Sequence, residues 1–202
     1  MGYNKKYAEW NKKVWYEIVA PQEIFNEMVL GETPAYDPEQ VIGRTVDLNL
    51  AFLTGNFRQQ NIKVIFQIYK VSGLKAFTAI KEVALYDAYI RRIVRKGTSR
   101  IDDSFKVTTK DGIDVQIKPL VVTRYRAHYR QRAAIRKKYR EFLTNKVPEL
   151  TYSELIEKVI NKELQSEISP ILNKIFPVQH VEIRKLTRLT PIIQVEEVQL
   201  KA

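Results

Sequence analysis

Two pairs of β-rich segments restrict the fold of this chain most strongly. The runs NIKVIFQIYKV (61–71) and LKAFTAIKEVAL (74–85) are separated by Ser72 and Gly73, and such runs around a two-residue turn predict a long hairpin. The stretch SFKVTTKDGIDVQIK (104–118) predicts a second hairpin. Sequential hairpins build antiparallel sheets, so a sheet of this kind is the expected centre of the fold.

The register of the second hairpin follows from its apolar residues. A three-residue loop, Lys110 to Gly112, pairs Phe105 with Ile117 and Val107 with Val115, which places the apolar side chains on one face. A two-residue loop would scatter them over both faces. We therefore predict the three-residue loop, with its glycine as a bulge in the left-handed conformation.

Three further strands are predicted around the hairpins. The segment VWYEIV (14–19) is β-rich, residues 46–50 alternate apolar and polar side chains, and VEIRKL (181–186) closes the chain. Residues 22–41 contain one glycine and two prolines and predict a loop with one helical turn. Pro119 predicts a strand edge or a bend.

Four segments have helical features: 88–96, 127–146, 155–164 and 171–176. Asp87 is suited to cap the first of them, and Gly97 lies just past its basic end. Thr151 and Glu154 form a capping-box pattern ahead of the third. The helices are therefore grouped mainly after the strands of the hairpins.

These elements predict an α+β fold in which a mostly antiparallel sheet, or a β-barrel core, packs against several helices. With 202 residues and 45% hydrophobic content, the chain is long enough to bury one core. Residues 14–202 are therefore expected to form a single domain. Residues 1–13 mix basic and aromatic side chains and are expected to form an N-terminal arm.

The composition favours polyanionic partners and excludes several kinds of chemistry. The chain has 34 Lys plus Arg against 23 Asp plus Glu, a net charge of +11, which favours nucleic acid first and anionic lipid second. It has no cysteine, and its seven glycines are too far apart for a nucleotide-binding glycine motif. No apolar run is long enough for a membrane helix or a signal peptide, which predicts a soluble, unprocessed, intracellular protein without cofactors.

The most basic stretch, RYRAHYRQRAAIRKKYR (124–140), has eight cationic side chains and no acid. Its apolar stripe is confined to the second half of the predicted helix and comprises Ile135, Tyr139, Phe142 and Leu143. Like charges three and four residues apart repel unless a partner neutralises them, as a phosphate backbone would. Tyr125, Tyr129 and Tyr139 are suited to stack on exposed bases or riboses.

The predicted RNA-binding residues are all cationic and lie in the basic stretch, in the helix before it and in the arm: Arg124, Arg126, Arg130, Arg132, Arg136, Lys137, Lys138, Arg140, Arg91, Arg92, Arg95, Lys96, Lys5, Lys6, Lys12 and Lys13. No catalytic or metal-ligating set is predicted, because no nucleophile and base pair or histidine spacing for a metal is present. The expected protein is not an enzyme.

Four alternatives remain open from the residues alone. In the first, the charges of the basic helix only form a solvated face. In the second, the helix lies on anionic lipid, although its first half lacks the apolar face that membrane binding requires. A free RNA-binding translation factor would use the same surface. A metal-dependent nuclease would gather magnesium with the four carboxylates Asp102, Asp103, Asp111 and Asp114.

Ordered matches along the chain resemble the small-subunit ribosomal protein family of archaea and eukaryotes called eS-one, formerly S-three-A-e: KKVWYEIVAP, IGRTVDLNLA, KVTTKDG, IRKKYREFL and IFPVQHVEIRKL. The resemblance covers nearly the whole chain and is to the archaeal form, because the longer ends of eukaryotic members are absent. It implies a β-rich core with helices and a non-catalytic ribosomal role in the cytoplasm. The implied position is the platform of the small subunit near the messenger exit, against ribosomal RNA and neighbouring ribosomal proteins. The resemblance also implies that Arg136, Lys137 and Lys138 contact RNA.

Overall fold

A computed structural model describes residues 13–192. In this range the chain forms nine strands of a mostly antiparallel, open sheet together with six α-helices, so the predicted α+β class is confirmed. Among the described strands the sheet is open, so the alternative of a β-barrel core is wrong. Within the described range, the chain divides into two compact units, one made of residues 13–46 and 66–79 and the other of residues 47–65 and 80–192.

The first unit contains β1 (Val14–Val19), α1 (Gln22–Phe25) and β2 (Val29–Ala35), with the adjoining parts of β4 (Ile62–Ser72) and β5 (Lys75–Leu85). β1 pairs with β2 in the antiparallel direction and with β5 in the parallel direction. The strand predicted over residues 14–19 is confirmed, and α1 is the single helical turn that was expected after it.

β2 was not predicted, because its glycine and proline are typical of a loop. In the described residues it lies at the end of the strand order, beside β1 alone, with Pro34 opposite Trp15. An edge strand tolerates proline because one side of its backbone needs no hydrogen bond within the sheet. The tertiary position of the segment therefore overrides its local sequence signal.

The long hairpin of β4 and β5 is confirmed, with its turn at Gly73 and Leu74. The turn was predicted one residue earlier, but β4 continues through Ser72. Gly73 has a φ of +60°, a value that residues with a side chain rarely adopt, so the glycine allows this tight connection.

The second unit holds the remaining elements: β3 (Thr45–Asn49) for most of its length, α2 (Leu50–Thr54), α3 (Asp87–Ile93), β6 (Arg100–Asp102), β7 (Phe105–Thr108), β8 (Asp114–Thr123), α4 (Tyr129–Lys146), α5 (Tyr152–Ile160), α6 (Glu163–Asn173) and β9 (Val178–Arg188). β9 pairs with β5 on one side and with β8 on the other. β6 and β7 both pair with the far side of β8. α6 packs against β9, and α4 packs against α6 and β6.

The predicted register of the hairpin formed by β7 and β8 is confirmed. Phe105 lies opposite Ile117, and Val107 lies opposite Val115. The N–H of Thr109 donates to the carbonyl of Ile113 at 3.0 Å, which leaves residues 110–112 as the loop. Its glycine, Gly112, has a φ of +73°, as the bulge requires.

Pro119 lies within β8, opposite Ile183 of β9, and its carbonyl accepts the N–H of Asp103 at 3.4 Å, so the edge position considered for it is wrong. The bend is present instead, because the register between β8 and β9 shifts between Lys118 and Pro119. A proline without an N–H is accommodated at such an irregularity.

The capping box of α5 is confirmed by two hydrogen bonds: the N–H of Thr151 donates to Glu154 Oε2 at 3.0 Å, and the N–H of Glu154 donates to Thr151 Oγ1 at 3.3 Å. The helix ends at Ile160, and Lys162 follows with a φ of +61°. α6 then runs to Asn173, so the separate helix predicted over residues 171–176 is wrong. The apolar spacing continues in phase through the break and therefore does not reveal it.

Candidate nucleic-acid interface

The segment before α4 is fixed by hydrogen bonds to neighbouring elements. The N–H of Arg124 donates to the carbonyl of Pro177 at 3.0 Å, and the N–H of Ala127 donates to Ser99 Oγ at 2.9 Å. His128 is the N-cap that precedes α4, and its N–H donates to Gln131 Oε1 at 2.9 Å. The cations around this point are therefore presented from an anchored backbone.

α4 is attached to the domain from Ile135 onward. Ile135, Tyr139 and Leu143 are buried, and Phe142 is half-buried, which confirms the predicted apolar stripe. The first buried residue of the helix is Ile135. Burial raises the pKa of the Tyr139 hydroxyl far above its ordinary value, with a smaller contribution from the charge of Glu182, so this tyrosine is a core residue. Its predicted role in stacking on bases is wrong.

The first half of α4 and the residues just before it present five exposed cations: Arg124, Arg126, Arg130, Arg132 and Lys137. Within residues 13–192, their side chains have no hydrogen bond or ion pair. Tyr125 and Tyr129 lie among them and expose 61% and 77% of their surface. We call these seven residues the α4 cationic surface.

Three other predicted cations of α4 have partners in the protein. Arg140 forms a two-bond pair with Asp103, with Nε to Oδ2 at 2.9 Å and Nη2 to Oδ1 at 2.5 Å. Arg136 Nε donates to the carbonyl of Asp102 at 3.1 Å, and Lys138 lies 3.6 Å from Glu141. The charge of Arg140 in particular is balanced within the fold.

The Asp103 carboxylate responds to this arrangement. Partial burial opposes its ionisation, but the hydrogen bonds from Arg140 and from the N–H of Ser104, with the charges of Arg140 and Arg136, outweigh that effect. The pKa of Asp103 is therefore held below its ordinary value of 3.8. The carboxylate is ionised at neutral pH and remains a partner for Arg140.

The predicted cations of residues 91–96 lie on and after α3. The helix ends at Ile93, so the prediction that it continues through Lys96 is wrong; Asp87 lies in its first turn, without the capping hydrogen bond expected of it. Arg92 donates to Asn61 Oδ1 at 3.3 Å, and its guanidinium lies 5.2 Å from the ring centre of Tyr89. In the described part of the chain, no hydrogen bond or ion pair of these side chains connects them to α4.

The basic N-terminal arm lies largely outside the described residues. Lys5, Lys6 and Lys12 are not among them. Lys13 Nζ lies 5.2 Å from the ring centre of Tyr36, a cation–π distance.

Two cations that were not predicted, Lys118 and Arg184, are half-buried and line a groove of about 510 Å³. The groove is formed by six residues: Asp102, Asp103, Ser104, Lys118, Arg136 and Arg184. Because they come from α4, from β8 and β9 and from the chain around β6, no local sequence pattern identifies them as a group.

The four carboxylates considered for a metal site are distributed over separate contacts. Asp102 pairs with Arg100 at 2.6 Å and Asp103 with Arg140, whereas Asp111 accepts the N–H of Tyr152 at 2.8 Å and Asp114 accepts the Thr108 hydroxyl at 2.7 Å. Among residues 13–192, no three His, Cys, Asp or Glu side chains are grouped as metal ligands.

The same range contains no helix with the length and apolarity needed to cross a bilayer.

The fold and the surface define a basic α+β protein whose longest helix carries arginines without partners among the described residues. The chain belongs to the Ribosomal S3Ae family, whose model matches residues 2–191. This result confirms the family identified from the ordered sequence matches.

Archaeal relatives named "Small ribosomal subunit protein eS1" are similar over most of their length. The relative from Nanoarchaeum equitans is 43% identical over 185 residues, which cover 92% of this chain and 93% of the relative. Those from Desulfurococcus amylolyticus and Saccharolobus islandicus are 38% and 39% identical, covering 88% and 94% of this chain and 83% and 88% of the relatives.

Proposed function

We propose that this protein is a structural constituent of the small ribosomal subunit, which binds ribosomal RNA through the α4 cationic surface and supports translation in the cytoplasm. Its other partners are neighbouring ribosomal proteins, and its role is architectural and not catalytic. The observation that carries the proposal is the first half of α4, where exposed cations have no partner among the described residues and no residue before Ile135 is buried.

The physical basis is the replacement of counterions around folded RNA by fixed cations. Arginine suits this role, because its planar guanidinium is able to bind two phosphate oxygens at once. Tyr125 and Tyr129 add rings that stack on unpaired bases. Contacts of this kind recognise the shape and backbone of RNA more than its sequence.

The remaining predicted cations contribute to RNA binding to different extents. Arg136, Lys137 and Lys138 belong to the segment IRKKYREFL, through which the chain resembles its family. Arg140 contributes least, because Asp103 already balances its charge. The cations of residues 91–96 and of the arm form secondary contacts.

The test is the salt dependence of binding to small-subunit ribosomal RNA from the organism that carries this chain. A variant with Arg126, Arg130, Arg132 and Lys137 each changed to Gln should flatten the slope of log K against log salt by about three. A control with four exposed lysines elsewhere, Lys70, Lys75, Lys106 and Lys174, changed to Gln should retain the wild-type slope. Equal slopes in the two variants would assign the effect to net charge and contradict the proposed surface.

Sedimentation distinguishes the structural role from a free RNA-binding factor. A structural constituent should remain at one copy per small subunit after centrifugation through a high-salt cushion. Complete release under conditions that leave other small-subunit proteins bound would favour the free factor.

A further inference from the structure

The groove formed by residues 102–104, Lys118, Arg136 and Arg184 differs from the α4 cationic surface in shape and in the depth of its charges. Its cations come from three elements, β8, α4 and β9, and line one open groove of about 510 Å³. Lys118 and Arg184 are half-buried, whereas the cations of the α4 cationic surface are exposed. A cation in a concave, partly desolvated position acts more strongly on an anion than one on open surface.

The carboxylates at the groove are bound to cations that do not line it. Asp103 holds Arg140 through two hydrogen bonds, and Asp102 Oδ2 lies 2.6 Å from Arg100 Nε. The three lining cations are therefore in excess.

Arg136 is oriented by a single hydrogen bond that leaves its other donors available. Its Nε donates to the carbonyl of Asp102 at 3.1 Å. Its two terminal nitrogens have no hydrogen-bond partner within residues 13–192. A guanidinium held in this way loses little further freedom when its terminal nitrogens bind two oxygens of one anion.

Lys118 and Arg184 lie on neighbouring strands beside the register shift at Pro119. Neither side chain has a hydrogen bond or ion pair in the described part of the chain. The adjacent Lys185, which lies opposite Lys118, is bound to Glu82 at 2.7 Å. An anion in the groove would give both side chains the partner that they lack among the described residues.

We propose that this groove binds one phosphate group of the RNA backbone, with Arg136 donating two hydrogen bonds and Lys118 and Arg184 supplying charge. The proposal rests on the proposed function, because it names a phosphate subsite within the same RNA contact. It adds Lys118 and Arg184 to the binding residues and gives Arg136 a specific role.

The first experiment measures the salt slope of ribosomal RNA binding for the double variant Lys118→Gln, Arg184→Gln. A matched control changes exposed cations outside the groove, Lys106→Gln and Arg58→Gln. The groove variant should flatten the slope by between about one and two relative to wild type. The control should leave it unchanged, and thermal unfolding should show that both variants are folded.

A second variant, at Arg136, keeps the positive charge and removes the planar guanidinium. Arg136→Lys should weaken RNA binding on the order of tenfold, because the second charge-assisted hydrogen bond is lost. The salt slope should stay at the wild-type value, since the number of cations is the same. Arg58→Lys is the matched control and should leave both quantities unchanged. Equal affinities for Arg136→Lys and wild type would overturn the role given to the guanidinium.

A titration with inorganic phosphate separates the two sources of the anion. The Arg136 Nε–H resonance should shift on RNA binding and respond only weakly to inorganic phosphate. Saturation by inorganic phosphate without competition from RNA would overturn the RNA backbone as the source.

An unchanged slope in the groove double variant, with a flattened slope in the α4 surface variant, would overturn the groove and leave the proposed function standing. A wild-type protein with no salt-dependent RNA binding would overturn both.

Discussion

The two halves of α4 differ in what balances their charge. In the second half, Tyr139 and Leu143 are buried, and Arg140 is paired with Asp103. In the first half, Arg130 and Arg132 are exposed and have no partner within residues 13–192. Arginines on one helix therefore differ in whether the protein itself supplies a partner for them. The second half stabilises the fold, and we infer that the first half is left for an external anion.

The largest expected effect comes from removing the apolar attachment of the second half. Leu143 is fully buried, so Leu143→Ala should lower the free energy of unfolding by about 3 kcal/mol through lost burial and a residual cavity. Arg132→Ala, in the exposed first half, should change it by less than about 0.5 kcal/mol. Denaturant unfolding of both variants measures the difference. Similar losses in the two would contradict the division of the helix.

The local features of the fold were predictable because the residues that decide them are close together in sequence. The register of Phe105 and Ile117 follows from their alternation around one loop, and the capping box of α5 needs only Thr151 and Glu154. β2 was missed because its edge position, and not its composition, permits a proline. The break at Lys162 was missed for a similar reason, since its side chain pairs with the distant Glu182 at 2.6 Å.

The candidate site was predictable only as far as composition and helical periodicity extend. The cations of the first half of α4 stand out by number and by the absence of acids nearby in sequence. The pairing of Arg140 with Asp103 joins residues 37 positions apart, and no spacing rule reveals it. The groove depends on Lys118 and Arg184, which converge only when β8 and β9 are paired.

A smaller effect is expected from the exposed rings of the first half. Tyr129→Ala should weaken binding to ribosomal RNA by about 1–2 kcal/mol if its ring stacks on a base, without lowering the free energy of unfolding. Tyr129→Phe keeps the ring and should retain wild-type affinity. Phe57, which is 83% exposed, is a control aromatic outside the helix, and Phe57→Ala should leave RNA affinity unchanged. Equal affinity for Tyr129→Ala and wild type would exclude stacking at this position.

The smallest expected effect, and the sharpest comparison of the two halves, comes from converting a paired arginine into an unpaired one. Asp103→Asn removes the partner of Arg140 and should lower the free energy of unfolding by about 1 kcal/mol. The loss is small because the Arg140 side chain is exposed to solvent. The released cation should steepen the salt slope of RNA binding by about one. Arg140→Gln should produce a similar stability loss and leave the slope unchanged.

The pH dependence of that stability difference follows from the lowered pKa of Asp103. A carboxyl whose pKa is lower in the folded state stabilises the protein fully above its ordinary value of 3.8, and the contribution is lost as the pH falls through the lower folded value. The difference in unfolding free energy between wild type and Asp103→Asn should therefore be constant near neutral pH and shrink below about pH 4. A difference that persists unchanged into strong acid would mean that the ion pair with Arg140 does not hold the second half of α4 in place.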